Sequence, residues 1–169
     1  MRISRFLFFT AFCVMTFSLI SCSSKPKNQT REQAVEEFRA SLTTEDTTAM
    51  LSLCNSAMEQ LKQGKIDDML LGLSEYDDST KQVLPISERM LNRFRHQLKR
   101  FPVKDYELQY YSMMLEGCND VKYKVTFATG EQTGGAPATT MYMFNPVKVN
   151  GEWRLCVKTQ NDEFDYEHQ

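Results

Sequence analysis

Val149-Asn150-Gly151-Glu152-Trp153-Arg154-Leu155-Cys156-Val157 decides the fold class of this 169-residue chain. Asn150-Gly151 predicts a type I′ hairpin turn, which needs positive φ at both central residues and so favours Asn and Gly. After it, Trp153, Leu155 and Val157 alternate with Arg154, Cys156 and Lys158, the period of a strand with one buried face. That strand is predicted over 152–159. Its partner is predicted over 139–149, with Asn145-Pro146 marking a bulge or an edge. Further upstream, Val121, Tyr123, Val125 and Phe127 alternate with Lys122, Lys124 and Thr126. Tyr106 to Leu115 is as rich in aromatic and β-branched residues, and Gly117-Cys118-Asn119-Asp120 is the turn between the two runs. Gly130 to Pro137 reads as a longer loop.

Before Pro102 the period is helical. Thr30-Arg31-Glu32-Gln33 has the form of a capping box, and Ala34, Val35 and Phe38 form the inner stripe of a short first helix ending near Ser41. Thr43-Thr44-Glu45-Asp46 caps a second helix, with acids in the first turn where the helix dipole favours them. Met50, Leu53, Cys54, Ala57, Met58 and Leu61 follow at helical spacing, and Gly64 sits where a left-handed stop belongs. Ile66, Met69, Leu70 and Leu73 predict a shorter helix behind it, and Tyr76 to Thr80 a loop. Pro85 is placed to open a third main helix with Ile86, Met90, Phe94, Leu98 and Phe101 inward, stopped by Pro102. Helices followed by an antiparallel meander predict an α+β domain with helices on one face of the sheet. The expected architecture is three helices across a curved four-strand antiparallel sheet. Met50, Leu53, Met58, Leu61, Phe94, Leu98, Phe127, Trp153 and Leu155 are its expected core.

The first 22 residues carry a different message. Arg2 and Arg5 precede an uncharged apolar run of 15 residues, Phe6 to Ile20, and then Ser21-Cys22. A bilayer core needs about 20 residues, so the run is too short to span and has the order of a secretory signal. Leu19-Ile20-Ser21-Cys22 resembles the lipobox of bacterial lipoproteins. The resemblance implies removal of residues 1–21 and acylation of Cys22, with palmitate among the expected chains. It also implies a membrane anchor at the new N-terminus. Ser23 rather than Asp after the cysteine implies the outer membrane, facing the periplasm. Residues 22–29 are polar and predict a tether, 30–160 the single α+β domain, and 161–169 an acidic tail. Without the signal, 18 basic and 22 acidic residues remain, a balance that argues against nucleic acid as a partner.

The domain as a whole resembles the cystatin-like, nuclear-transport-factor-like cone domains of small bacterial lipoproteins. The resemblance rests on the lipobox, the amphipathic helix Ala49–Leu61 and Gly64-Lys65-Ile66-Asp67-Asp68. A long meander ending in Asn150-Gly151-Glu152-Trp153-Arg154-Leu155 completes it. Family members often carry Gly-Asp at the interhelix turn, and Lys65 departs from that pattern. The resemblance implies a cone-shaped sheet that serves either of two classes of function. One is a non-enzymatic binding or assembly module for an envelope protein or a small apolar ligand, without cofactor. The other is a cone-fold hydrolase or isomerase acting on a small apolar substrate. The enzymes of this fold need an Asp, His or Tyr set converging on an apolar cavity. The two histidines do not supply one: His96 lies on the polar side of its helix and His168 in the tail.

Among interaction sites, Arg89, Arg93, His96 and Arg100 fall at i, i+4, i+7 and i+11, with Arg95 and Lys99 alongside. They predict a cationic helix face that is either simply solvated or docks anionic headgroups or an acidic partner. Met113, Met114, Met141 and Met143 with Tyr110, Tyr111 and Tyr142 make the sheet soft and aromatic, as a ligand-lined cone or as packed core. Cys54, Cys118 and Cys156 match no metal or redox spacing and are read as small hydrophobes or as one disulfide and a leftover thiol. Asp162, Glu163, Asp165 and Glu167 lack the glycine and spacing of a calcium loop. Asp46-Thr47-Thr48 and Asp78-Ser79-Thr80 resemble a short bacterial O-glycosylation pattern, although helix-start chemistry explains Thr47 as well.

Overall fold

The computed structural model describes residues 29–157. The signal, Cys22, the tether up to Asn28 and everything from Lys158 onward, His168 included, lie outside the described residues. The elements run α1 (Arg31–Ala40), α2 (Thr44–Lys62), α3 (Ile66–Leu71), β1 (Leu73–Asp77), β2 (Gln82–Pro85), α4 (Glu88–Arg100), β3 (Asp105–Met113), β4 (Asn119–Ala128), α5 (Gly130–Thr133), β5 (Ala138–Val149) and β6 (Glu152–Val157). The strands form one mixed sheet in the order β2-β1-β6-β5-β4-β3. All neighbours are antiparallel except β1 and β6, which run parallel with Leu73 opposite Leu155.

The helix starts follow from local chemistry. Thr30 accepts from the Gln33 N–H at 3.3 Å, while Gln33 Oε1 accepts from the Thr30 N–H at 3.1 Å. Thr43 and Asp46 repeat that exchange at the head of α2. Asp46 is buried and also pairs with Lys148 of β5, so the cap pins α2 to the sheet. The Lys148 ammonium, then the Thr43 N–H, hold the Asp46 carboxyl below its ordinary range. The buried indole N–H of Trp153 lies near the same carboxylate and adds a smaller contribution in favour of its charged form.

The four-strand expectation is corrected to six. Residues 73–85, read as a helix end, a loop and a helix start, form the β1–β2 hairpin. Helix α3 stops at Leu71, Leu73 turns into the sheet, and Tyr76 is buried. Asp77 builds the turn: its carboxylate accepts from the Ser79 N–H at 2.9 Å, the Ser79 hydroxyl at 2.6 Å and the Thr80 hydroxyl at 2.8 Å. Pro85 ends the edge strand β2, where its missing N–H costs nothing, and Ser87 rather than Pro85 precedes α4.

Those turn hydrogen bonds, chiefly from Ser79 and Thr80, hold the Asp77 carboxyl at about 2. Its folded pKa therefore lies below the unfolded value of about 3.9, and the stability this provides is complete above that value. It is lost as pH falls through the folded value. Asp77→Asn is expected to lower the urea midpoint at pH 7, with the gap to wild type closing between about pH 4 and pH 2. An equal gap at both ends of that range would remove the charge of Asp77 from the account.

Strand β5 passes through Asn145-Pro146 without a break but changes partner there. Up to Phe144 it pairs with β4, and from Asn145 it pairs with β6. Two buried asparagines clamp this corner. Asn145 Oδ1 accepts from the Asn119 N–H at 3.0 Å and its Nδ2 donates to the Gly117 carbonyl at 2.7 Å. Asn119 Nδ2 donates to the Pro146 carbonyl at 2.9 Å, and its Oδ1 accepts from the Met114 N–H. The Asn150-Gly151 turn has positive φ at both residues, as expected.

Met50, Cys54 and Met58 of α2 pack fully buried against Val121, Tyr123 and Val125 of β4. Leu61, Leu98 and Leu155 are buried as expected, whereas Leu53, Phe94 and Trp153 are only half-buried at the margin of this core, and Phe127, also half-buried, meets Phe101 edge-on at 5.0 Å. Trp153 pairs with Lys148 one step from the Asn150-Gly151 turn, at the end of the sheet. A second small core of Tyr76, Val147 and Cys156 lies on the opposite face, under the β1–β2 hairpin. Cys54 and Cys156 are free buried thiols pushed up to about 12 by burial, while Cys118 is exposed in the β3–β4 turn.

Candidate binding surfaces

Helix α4 carries Met90 and Leu98 buried against the domain, with Leu91 and Phe94 half-buried beside them. The 3.6-residue period then turns Arg89, Arg93, His96 and Arg100 outward, and all four are exposed. Arg100 lies against the Phe101 ring, 5.3 Å from its centroid. Arg95 separates from this group. It is half-buried and spends its guanidinium on Asp67 at 2.8 Å and Asn92 at 2.6 Å, tying α4 to α3.

The methionines and tyrosines grouped by the sequence divide in the fold. Met113 and Tyr142 are core, and the Tyr142 hydroxyl donates to the Phe101 carbonyl at 2.7 Å. Tyr110, Met141 and Met143 are exposed on the sheet face away from α2, where Tyr110 stands opposite Lys122 and its ring lies 5.7 Å from that ammonium. Tyr111, opposite Val121, shares the α2 side of the sheet but is also exposed. The cause is position: β3 is the edge strand, covered by a neighbouring strand on one side only.

A groove of about 590 Å³ lies between α2 and β3, a place the sequence did not single out. Its helix wall is Thr48, Leu51, Ser52, Asn55, Ser56 and Glu59, and its strand wall is Tyr106. Beneath it Tyr123 is fully buried, and its hydroxyl donates to Asn55 Oδ1 at 2.6 Å. That bond fixes the carboxamide, because Oδ1 faces inward and the Nδ2 donors are left toward the groove. The Tyr106 hydroxyl stands 3.5 Å from Glu59 Oε2, whose other oxygen accepts from Gln63 at 3.0 Å. Lys62 pairs with Asp105 at 2.9 Å, and its ammonium lies 5.8 Å from the Tyr106 ring centre. Burial is the first cause that raises the Tyr106 and Tyr123 phenols above their ordinary values, so both stay neutral hydrogen-bonding groups near pH 7. A second groove, of about 820 Å³, runs beside α1 at Arg39 and Met114, where Arg39 Nε donates to the Met113 carbonyl at 2.7 Å.

Among the described residues no three His, Cys, Asp or Glu side chains gather as a metal site, and no helix is long and apolar enough to cross a membrane. Of the two O-glycosylation-like triplets, Asp46-Thr47-Thr48 lies inside α2 with its hydroxyls directed to Thr43 and Thr44 carbonyls, while Asp78-Ser79-Thr80 is an exposed turn.

No family model matches the chain, and no curated protein matches it. Among solved structures it is similar to a protein from Campylobacter jejuni described as an NTF2-like transpeptidase, whose crystal structure is at 2.00 Å resolution. The likeness covers 69% of this chain and all of that one, at 12% identity and a TM-score of 0.34. At that level it transfers no residue roles and no activity.

Proposed function

We propose that this chain is a membrane-anchored lipoprotein of the bacterial envelope, and that its domain is a non-enzymatic binding or assembly module. Cys22 carries the lipid, residues 22–29 are the tether, and the outer membrane facing the periplasm is the location. One observation favours binding over catalysis. The buried thiols and phenol Cys54, Cys156 and Tyr142 are held neutral by burial, all pushed up to about 12, while Arg89, Arg93, His96 and Arg100 share one exposed face of α4. Interior groups with such values neither take nor give protons near pH 7, whereas a general acid or base needs a pKa close to the working pH. Arg89, Arg93, His96 and Arg100 face the anionic headgroups or the acidic partner that a tethered domain meets first.

Two measurements test this. Radiolabelled palmitate is expected to enter the wild type and not Cys22→Ala, and equal labelling of both ends the anchoring claim. For the α4 face, the unlipidated protein is expected to bind vesicles rich in anionic lipid, with affinity falling steeply as salt rises. Each cation near such a surface contributes about 1 kcal/mol, so reversing Arg89, Arg93 and Arg100 to Glu is expected to abolish binding at about 0.15 M salt. The fold survives this change because Met90 and Leu98 lie on the opposite side of the helix. Salt-independent binding, or none by the wild type, leaves the α4 cations as a solvated face.

A further inference from the structure

We infer that the groove between α2 and β3 is a binding site for a neutral, polyhydroxylated ligand, a short saccharide. This deepens the binding-module reading but does not depend on the lipid anchor or on the α4 face.

The groove has the composition that sugar rings demand. A saccharide offers weakly polar C–H faces and a rim of hydroxyls that both donate and accept. It is held by an aromatic face together with planar side-chain amides and carboxylates. Tyr106 supplies a ring on the strand wall, braced edge-on by Tyr123 at 5.8 Å between centroids, so it is positioned before any ligand arrives. Asn55 supplies donors, because its oxygen is taken by the Tyr123 hydroxyl at 2.6 Å. Glu59 supplies acceptors, and Ser52 and Ser56 line the same helix wall. Leu51 leaves one apolar patch against which a ring face can lie. The groove, of about 590 Å³, is shallow and open, so a ligand lies across it and not inside a cavity.

Charge narrows the class. Lys62 is paired with Asp105, and its ammonium also lies 5.8 Å from the Tyr106 ring centre and within electrostatic reach of Glu59, so the one cation and two carboxylates leave a net negative charge at this end of the groove. An anionic ligand such as a phosphate or a uronic acid meets repulsion there, while a neutral sugar does not. An acyl chain would leave the Asn55 donors covered without partners, a cost of about 1–3 kcal/mol for each such group. Further along the same side of β3, Tyr111 presents a second exposed ring, opposite Val121, four residues along β4 from the partner of Tyr106. Four residues of strand span about 13 Å, so a linear saccharide of a few units leaving the groove meets a second stacking platform.

The buried Tyr123 hydroxyl is a positioning group. It cannot touch the ligand, yet it decides which end of the Asn55 carboxamide faces the groove.

The test uses the full chain against an immobilised panel of neutral oligosaccharides built from hexoses, deoxyhexoses and N-acetylhexosamines, with decanoate and inorganic phosphate as competitors. At least one neutral saccharide is expected to bind, unaffected by phosphate. Tyr106→Ala and Asn55→Ala are each expected to weaken that binding at least tenfold. Tyr123→Phe is expected to weaken it severalfold while the protein stays folded by near-ultraviolet circular dichroism. Tyr106→Phe is expected to retain most of it, because the ring and not the hydroxyl stacks. The α4 triple reversal is expected to leave it unchanged, which separates failure of this site from failure of the membrane face. No binding across the panel overturns the inference. So does binding that Tyr106→Ala and Asn55→Ala leave intact, or displacement of the saccharide by decanoate at equal affinity.

Discussion

Gly117→Ala is expected to destabilise the domain by about 2–5 kcal/mol, through two separable effects. Gly117 has φ +80°, a left-handed conformation that costs an L residue about 1–2 kcal/mol. A Cβ there would also lie 1.9 Å from Tyr76 Cε1, well inside contact distance. The ring has nowhere to retreat. It is buried with Val147 and Cys156 in the small core under the β1–β2 hairpin, and its hydroxyl is directed at the Glu116 carbonyl. Overpacking of this kind costs about 1–3 kcal/mol. Because the clash involves one partner, a double-mutant cycle resolves it. Tyr76→Ala alone removes a large buried ring and is itself costly, but in the Gly117→Ala background it should cost markedly less, since it also removes the clash. Urea melts of the four proteins supply the cycle. Additive effects, or a Gly117→Ala change below about 1 kcal/mol, would mean that Tyr76 does not pack over this turn.

The same corner shows where sequence stops being readable. The Asn150-Gly151 turn, both capping boxes and the α2 stripe are local patterns in which spacing alone names the element. Strands β1 and β2 are not local. Leu73-Ser74-Glu75-Tyr76-Asp77 buries only Leu73 and Tyr76, and it becomes a strand because β6, far along the chain, lies parallel to it. No alternation marks such a segment, and Pro85 next to it imitates a helix start. Asn145-Pro146 was legible as a disturbance in β5. That it is a change of partner held by Asn119 depended on a contact across 26 residues. The functional surfaces divide in the same way. The α4 cations sit on one helix and their common face follows from the 3.6-residue period. The α2–β3 groove joins Asn55 to Tyr106 through Tyr123, a hydrogen bond across 68 residues, and no spacing announces it.

That hydrogen bond supports the second large prediction. Tyr123 is fully buried: α2 lies on one side, and Tyr106 and Phe144 meet its ring edge-on at 5.8 and 6.1 Å. Tyr123→Ala is expected to cost about 3–5 kcal/mol, the range for deleting a large core aromatic, because the fixed backbone of β4 cannot collapse into the space. Tyr123→Phe separates ring from hydroxyl. Its expected cost is only about 0.5–1.5 kcal/mol, since the exposed Asn55 carboxamide recovers water in place of the phenol. A domain of this size has a stability of about 5–15 kcal/mol, so the alanine variant consumes a large share of it and the phenylalanine variant does not. The ordering of the two midpoints in urea is therefore diagnostic. A phenylalanine variant as unstable as the alanine one would place the hydroxyl, not the ring, at the centre of the core. It would also mean that Asn55 is held from inside the protein and is not turned toward the groove.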